Sequence, residues 1–338
     1  MNVLVTGGAG YIGAHCCQEL ARRGFHPVVY DNLATGHREH VRWGEFCEGD
    51  IGDAAGLNEV CSRFRITAVM HFAAFIEVGE SVANPLKYYA NNVTGSLQLI
   101  RAMVRHGIRH IVFSSSAAVY GNPHHVPIDE EHPTRPLSPY GRTKLMAEHI
   151  LADCESAYGL RWMALRYFNA AGADPAAQIG EWHTPESHLI PRILDAAGNG
   201  ERPVQVYGTE YPTPDGSCIR DYIHVADLAR AHVLALERLL AGNDGGAFNL
   251  GQGRGYSVLE VIRQAGRITG KPLSIQTGPR RPGDPPVLIA SNRKAQDRLG
   301  WVPEQSRLED IIASAWKWHC KMKEAVHGAR HTAQGQAE

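Results

Sequence analysis

The chain has 338 residues, 43% of them apolar, 20% charged and 35 of them glycine. That is ordinary globular composition, long enough for a full core and for about two domains, and it excludes a disordered, collagenous or disulfide-scaffold protein. Lysine and arginine number 34 against 35 acidic residues, a net charge of −1, so neither nucleic acid nor an anionic membrane surface is an expected partner.

Short apolar, β-branched runs at Val3–Thr6, Pro27–Tyr30, Phe46–Glu48, Ala68–Phe72, Ile111–Ser114 and Met163–Tyr167 predict strands. Amphipathic helices such as Ile12–Arg23 and Asn92–His106 separate most of them. Continuous apolar strands alternating with helices predict an α/β fold with a Rossmann-type doubly wound parallel sheet. Ligands of such sheets sit at the carboxyl ends of the strands. Past about residue 170, proline and glycine become denser, as in Ala173–Thr184 and Tyr207–Gly216. Helices expected at Glu186–Gly198, Asp227–Leu240 and Val258–Gly270 are separated by long loops, which often carry binding residues. This change predicts a first domain over 1–170 and a smaller C-terminal α/β substrate domain over 171–338, with about 218–245 returning to the first. The polar tail His327–Glu338 is expected to fray.

No apolar run reaches the roughly 18–20 residues of a membrane span, and the opening MNVLVTGG lacks the features of a signal peptide. Seven cysteines, an odd number without a C-x-x-C pair, predict reduced thiols in a cytoplasmic protein. Of 18 histidines, none stands in H-E-x-x-H or at ligand spacing from cysteine, so no metal site is expected. His124 and His125, between Pro123 and Pro127, read as a surface loop.

The first strand runs directly into Gly7-Gly8-Ala9-Gly10-Tyr11-Ile12-Gly13, where Gly7, Gly10 and Gly13 form G-x-x-G-x-x-G between a strand and a helix. Glycines permit a tight turn and close approach of a pyrophosphate, and the helix N-terminus presents free N–H groups to it. Asp31, at the end of the second strand, is placed to accept both ribose hydroxyls of an adenosine and to repel a 2′-phosphate, which favours NAD over NADP despite Arg38 and Arg42 nearby. Asp50 and Ile51, after the third strand, are placed near the adenine.

Tyr140-Gly-Arg-Thr-Lys144 follows Pro139 in a helix expected over 139–158, with Gly159 as its stop. The i,i+4 spacing puts both side chains on one face. A neighbouring ammonium and a cationic nicotinamide both favour phenolate, which suits general acid–base work near neutrality. The serine cluster Ser114-Ser115-Ser116 ends a strand at the same sheet edge as the glycine loop, and Ser116 can bond a substrate hydroxyl.

Together these stretches resemble the extended short-chain dehydrogenases/reductases and, within them, the UDP-glucose 4-epimerases. The resemblance spans about residues 1 to 320 and is carried by VTGGAGYIG at 5–13, YDNL at 30–33, EGDI at 48–51, HFAA at 71–74, VGES at 78–81 and YYANNVTG at 88–95. It continues in FSSSAAVYG at 113–121, SPYGRTKLMAE at 138–148, LRYFNAAGADP at 165–175, RDYIHVADLA at 220–229, FNLGQGRGYSV at 248–258 and RRPGD at 280–284.

The resemblance implies interconversion of UDP-galactose and UDP-glucose by transient C4 oxidation on tightly held NAD, rotation of the 4-keto sugar and return of the hydride. Tyr140 would exchange the C4 hydroxyl proton with help from Ser116, and Lys144 would lower the tyrosine pKa and hold the nicotinamide ribose. Cofactor contacts would fall on the three glycines, Tyr11, Ile12, Asp31, Asn32, Asp50, Ile51, Phe72, Ala73, Ala74, Asn91, Ser114, Tyr140, Lys144 and Phe168. Substrate contacts would fall on Ser116, Tyr140, Asn169, His188, Leu189, Tyr207, Arg220, Arg281 and Asp284. Members are commonly homodimers packed through helices that include the Y-x-x-x-K helix.

This chain departs from some members at three positions: Ile76 stands where they carry lysine, His188 where they carry asparagine, and Leu288 where they carry a pocket-limiting tyrosine. Leu288 implies that UDP-N-acetyl sugars also fit. A sugar-nucleotide 4,6-dehydratase would place an acidic pair at Ala117 and Ala118. A UDP-pentose (xylose/arabinose) 4-epimerase shares every motif. A non-catalytic NAD-sensing regulator on the same fold would be expected to lose the tyrosine, lysine or serine, and all three are present.

Overall fold

The structure is a computed structural model that describes residues 1–199, 203–281 and 284–334. Seven strands form one fully parallel sheet: β1 (Asn2–Thr6), β2 (His26–Asp31), β3 (Glu45–Glu48), β4 (Ala68–His71), β5 (His110–Ser116), β6 (Arg161–Tyr167) and β10 (Gly246–Leu250). Their order is β10-β6-β5-β4-β1-β2-β3, so the winding reverses between β1 and β4. That reversal opens the crevice in which doubly wound sheets bind ligands. The strands of this sheet are close to continuous apolar runs because helices cover both faces. Leu4, Met70 and Ile111 are fully buried, each contributing about 1.5–3 kcal/mol by leaving water.

The helices of this layer are α1 (Tyr11–Arg22), α2 (Ala54–Arg63), α3 (Val78–Ala83), α4 (Pro85–Tyr88), α5 (Ser96–Arg105), α6 (Pro139–Tyr158) and α8 (Val225–Leu240). Helix α8 packs on α1, β5 and β6. The helix expected from Asn92 instead begins as α5 at Ser96, after a π-helical stretch over Tyr89–Gly95. Such wide turns occur frequently at functional sites. This one directs the Asn92 side chain inward, where it donates to Phe75 O at 3.0 Å and Thr143 Oγ1 at 3.1 Å.

The remaining elements form smaller sheets beside the carboxyl edge of the first. Strand β9 (Ile219–His224) pairs with β7 (Asn169–Ala171), β11 (Gly255–Ser257) and β13 (Val287–Leu288). Strands β8 (Val204–Tyr207) and β12 (Ile275–Gly278) form a separate parallel pair. Helices α7 (Leu189–Asn199), α9 (Val258–Thr269) and α11 (Leu308–Gln334) pack together around a core that includes Ile193, Val206, Val261 and Ile311. Helix α10 (Arg293–Leu299) lies against β10 and α8. Asp221 explains the RDY triplet. It is fully buried, and its carboxylate accepts from the backbone N–H groups of Gln252 at 2.7 Å, Gly253 at 3.0 Å and Ala290 at 3.1 Å. One carboxylate thereby ties β9 to the loop after β10 and the strand end after β13.

The expectation that the tail frays from His327 is corrected in part, because α11 continues to Gln334. Residues 335–338 lie outside the described residues, as do Pro282 and Gly283 of the RRPGD stretch. All seven cysteines are free.

Candidate active site

A cleft of about 520 Å³ runs along the carboxyl ends of β1, β2, β4 and β5 and under β7 and α7. Its floor is the glycine turn. Gly7 has φ +72°, and a Cβ there would lie 2.6 Å from Ala73 N. A Cβ on Gly13 would lie 2.2 Å from Gly7 O. Only hydrogen fits at either place, and α1 starts at Tyr11 with no side-chain cap from Gly10. The helix terminus therefore faces the cleft with its N–H groups, which suits a pyrophosphate.

Asp31 closes one end. Its carboxylate accepts from Ala9 N and Leu33 N, both at 2.9 Å, which leaves lone pairs on both oxygens for further donors. Burial pushes its pKa up and the two N–H groups pull it back. Of the two arginines that bear on a 2′-phosphate, Arg38 lies over the Phe46 ring at 4.5 Å and Arg42 reaches Gln178 O at 3.5 Å, and neither lines the cleft. Asn32 lines the cleft and donates to Asp50 at 2.6 Å, whereas Asp50 does not line it. Tyr11, Ile12, Ile51, Phe72, Ala73, Ala74, Asn91, Ser114 and Phe168 all do.

At the other end stand Ser116, Tyr140 and Lys144. Helix α6 positions the last two. Ser138 caps it by accepting from Gly141 N at 3.1 Å, Pro139 fills the first turn and Gly159 ends it at φ +66°. Ser116 ends β5 and accepts from Ala118 N at 3.1 Å, and its hydroxyl stands beside the Tyr140 phenol, whose ionised form it favours. Lys144 is buried and donates to Ser114 O at 2.7 Å.

Protein groups alone do not supply the phenolate expected from the sequence. Burial pushes the Tyr140 pKa up, with Ser116 opposing. Burial also pulls Lys144 down to about 7, with the Glu148 carboxylate opposing. The pair is thus held near neutrality of charge, and a positive charge brought into the cleft beside the phenol would favour its ionisation.

Behind the serine cluster lies a buried polar chain that the sequence reading did not single out. Glu148, one turn beyond Lys144, takes Ser115 Oγ at 2.5 Å and pairs with Arg166, which donates to Tyr120 OH at 2.9 Å; that hydroxyl donates to Asn249 at 2.7 Å. A network satisfied at each member fixes the strand end rigidly.

Of the residues expected at a substrate, Asn169, His188, Leu189 and Asp284 line the same cleft. Tyr207, Arg220 and Arg281 do not. Arg220 is held by Asp284 at 2.5 Å and donates to Pro285 O at 2.9 Å, and Arg281 lies 4.1 Å over the Tyr207 ring. Ile76 and Leu288 both line the cleft, as do Glu181, His183 and Tyr167, which the sequence reading did not single out.

A family model described as the NAD dependent epimerase/dehydratase family matches residues 3–251. The chain belongs to this family. It is similar to the UDP-glucose 4-epimerase of Rhizobium leguminosarum bv. trifolii, 52% identical over 320 residues, which are 95% of this chain and 98% of that one. Its fold matches the crystal structure of UDP-glucose 4-epimerase from Brucella ovis in complex with NAD, with a TM-score of 0.91 at 52% identity over 94% of this chain and 97% of that one. It also matches the Bifidobacterium longum UDP-glucose 4-epimerase in complex with NAD+ and UDP, with a TM-score of 0.89 at 39% identity over 95% and 98%. Family membership accounts for the glycine cradle and for the serine, tyrosine and lysine at one rim. Neither Ala117 nor Ala118, which face the cleft, can do the acid–base work of a dehydratase.

Proposed function

We propose that this protein is an NAD-dependent isomerase that interconverts UDP-galactose and UDP-glucose. The observation that carries this reading is the meeting of Ser116, Tyr140 and Lys144 at one end of a cleft whose other end is the glycine turn and Asp31. The cradle fits NAD: a Cβ would obstruct it at Gly7 and Gly13, and Asp31 keeps acceptor capacity for ribose hydroxyls. When bound, NAD supplies the oxidation at the sugar C4 and its reversal.

The residues of the chain then have definite tasks. Tyr140 takes the proton from the C4 hydroxyl and later returns it. Ser116, beside the phenol, bridges it to the sugar hydroxyl. Lys144, fixed by the Ser114 carbonyl, holds the nicotinamide ribose and stabilises the phenolate. Gly7, Gly10, Gly13, Tyr11 and Ile12 hold the pyrophosphate, and Asn32, Ile51 and Asp50 border the adenine, Asp50 through Asn32. Asn169, His188, Leu189 and Asp284 face the UDP-sugar. Arg220, Arg281 and Tyr207 stand outside the cleft lining, and the Arg220 guanidinium, held by Asp284, has the fork that suits a diphosphate.

Two copies are expected to pair. Val82 on α3, Leu86 on α4, Val104 on α5 and Met146 on α6 are apolar and exposed, on helices around the tyrosine–lysine helix. The free cysteines suit the reducing cytoplasm. No described helix is long and apolar enough to cross a membrane.

The deciding experiment incubates the purified protein with UDP-galactose and no added cofactor, following the anomeric signals by NMR. Appearance of UDP-glucose, with the same equilibrium reached from either side, is the expected result. If UDP-galactose, UDP-N-acetylgalactosamine and UDP-xylose all fail to react after NAD is added, the catalytic reading fails in favour of a regulator; reaction of UDP-xylose alone makes it a pentose epimerase.

A further inference from the structure

The wall of the cleft beside α7 holds a cluster of which only His188, facing the UDP-sugar, has a task in the chemistry above. Glu181, His183, Glu186 and His188 each bring one ligand atom to within 4.8 Å of the others. His183 Nδ1 lies 3.5 Å from Glu181 Oε1 and 3.6 Å from Glu186 Oε2. His188 Nδ1 lies 2.8 Å from Glu181 Oε1 and 3.4 Å from Glu186 Oε1.

Metal bonds of about 2.0–2.1 Å in a tetrahedron require ligand atoms roughly 3.3–3.4 Å apart. Three of the four imidazole–carboxylate distances are already close to that value, the two to Glu186 running to its two different oxygens, so that carboxylate must turn to present one oxygen to the ion. The fourth, 2.8 Å, is a hydrogen-bond length that a small outward shift of His188 would open. His183 Nδ1 is buried and makes no hydrogen bond, although it faces both carboxylates. Its partners are the two carboxylates at ion-pair range, separations too long for hydrogen bonds and close to the span across a shared ion.

We propose that Glu181, His183, Glu186 and His188 bind one divalent transition-metal ion, zinc by ligand type, at the mouth of the cleft. Two imidazoles and two carboxylates in a four-coordinate set select zinc over magnesium and calcium, which take mainly oxygen at higher coordination. With all four positions filled by protein the site is closed and structural. Two carboxylates balance the charge of the ion, so it adds little net field to the cleft. The spacing, E-x-H-x-x-E-x-H within eight residues, differs from the helical and cysteine patterns sought in the sequence, which is why it escaped notice there.

The segment is placed where such a clamp has an effect. The Trp182 ring stacks on His37 at 3.7 Å and its carbonyl accepts from His37 Nε2 at 3.0 Å. Trp318 Nε1 donates to Glu181 O at 2.9 Å, and Ser187 Oγ donates to Glu77 at 2.8 Å. The segment runs straight into α7, whose first residue, Leu189, lines the cleft. An ion joining residues 181 and 188 would therefore fix the wall that faces the UDP-sugar.

The test uses the full-length protein, stripped with a chelator and titrated with Co²⁺, then with Zn²⁺. One bound equivalent, the intense visible bands of four-coordinate Co²⁺ and a rise in Tm on adding Zn²⁺ are expected. His183→Ala and Glu186→Gln should each lose the bands and the Tm rise, while the surface pair His124→Ala/His125→Ala keeps both. Should His183→Ala fail to fold, Glu186→Gln, which preserves shape, carries the comparison. Weak octahedral bands in the wild type, or bands and a Tm rise that survive Glu186→Gln, would overturn the proposal. These readouts are independent of turnover, so the site and the epimerase reading can fail separately.

Discussion

The Lys144 ammonium donates to the Ser114 carbonyl at 2.7 Å, which leaves it 5.9 Å from the centre of the Tyr140 ring. The lysine thus answers first to the strand end and only at a distance to the phenol. Its burial draws its pKa to about 7, with Glu148 opposing. A base whose folded pKa lies below its unfolded value near 10.4 opposes folding wherever the unfolded chain binds more protons. The penalty is full below about pH 7 and vanishes as pH approaches the ordinary lysine range. Replacing Lys144 with methionine should therefore help the NAD-free chain most at low pH. The stability difference, mutant minus wild type, should shrink by roughly 1.4 kcal/mol per pH unit between about 7 and 10. Denaturant unfolding at a series of pH values measures it, and a difference independent of pH would show that Lys144 is not held near its neutral form.

Tyr140→Phe removes only the phenol hydroxyl beside Ser116. The ring remains packed, so fold and nucleotide content should match the wild type, while turnover falls by about 10²–10⁴, the range of a lost acid–base catalyst. Turnover by the NMR assay, with NAD content measured after denaturation, checks both halves. Retained turnover would take the proton-transfer role from Tyr140.

Gly13 tests the cradle. An added methyl there would lie 2.2 Å from Gly7 O and 2.9 Å from Gly8 Cα, both backbone, so nothing flexible can yield. Gly13→Ala should cost about 1–3 kcal/mol and release the bound dinucleotide. Gly79→Ala on α3, where a Cβ meets nothing within 4 Å, is the matched control and should leave nucleotide content unchanged. Nucleotide released from equal amounts of each protein gives the comparison.

Much of the parallel sheet was legible because most of its strands are apolar runs of their own separated by helices. Strand β10 was not, since Gly246–Leu250 begins with glycine and carries the polar Asn249, and its pairing with the distant β6 makes it a strand. The start of α5 was misplaced for a different reason. Residues 89–95 have helical periodicity, and the π-turn arises from the inward bonds of Asn92 rather than from local propensity. In the site, Ser116, Tyr140 and Lys144 were legible from local spacing, as was the glycine turn. The pairing of Arg220 with Asp284 and the chain from Glu148 to Asn249 join residues far apart in sequence, which no local pattern encodes. The sign of the electrostatics was also out of reach, because burial dominates the pKa of both Tyr140 and Lys144.

Leu288 bears on how large a sugar the cleft takes. It lies on β13 opposite Arg220, lines the cleft, and packs beside Val119, Tyr120 and Ile128. A leucine there leaves room that a tyrosine ring would fill, so the cleft should accept a 2-acetamido group as well as a hydroxyl. Leu288→Tyr should then lower kcat/KM for UDP-N-acetylgalactosamine more than for UDP-galactose. One buried group of this size is worth about 1–3 kcal/mol of discrimination, a ratio change of roughly 10- to 200-fold. Because both substrates are compared in one variant, a general loss of stability or of NAD cancels in the ratio. If the ratio stays at its wild-type value, Leu288 does not set the size of the sugar pocket.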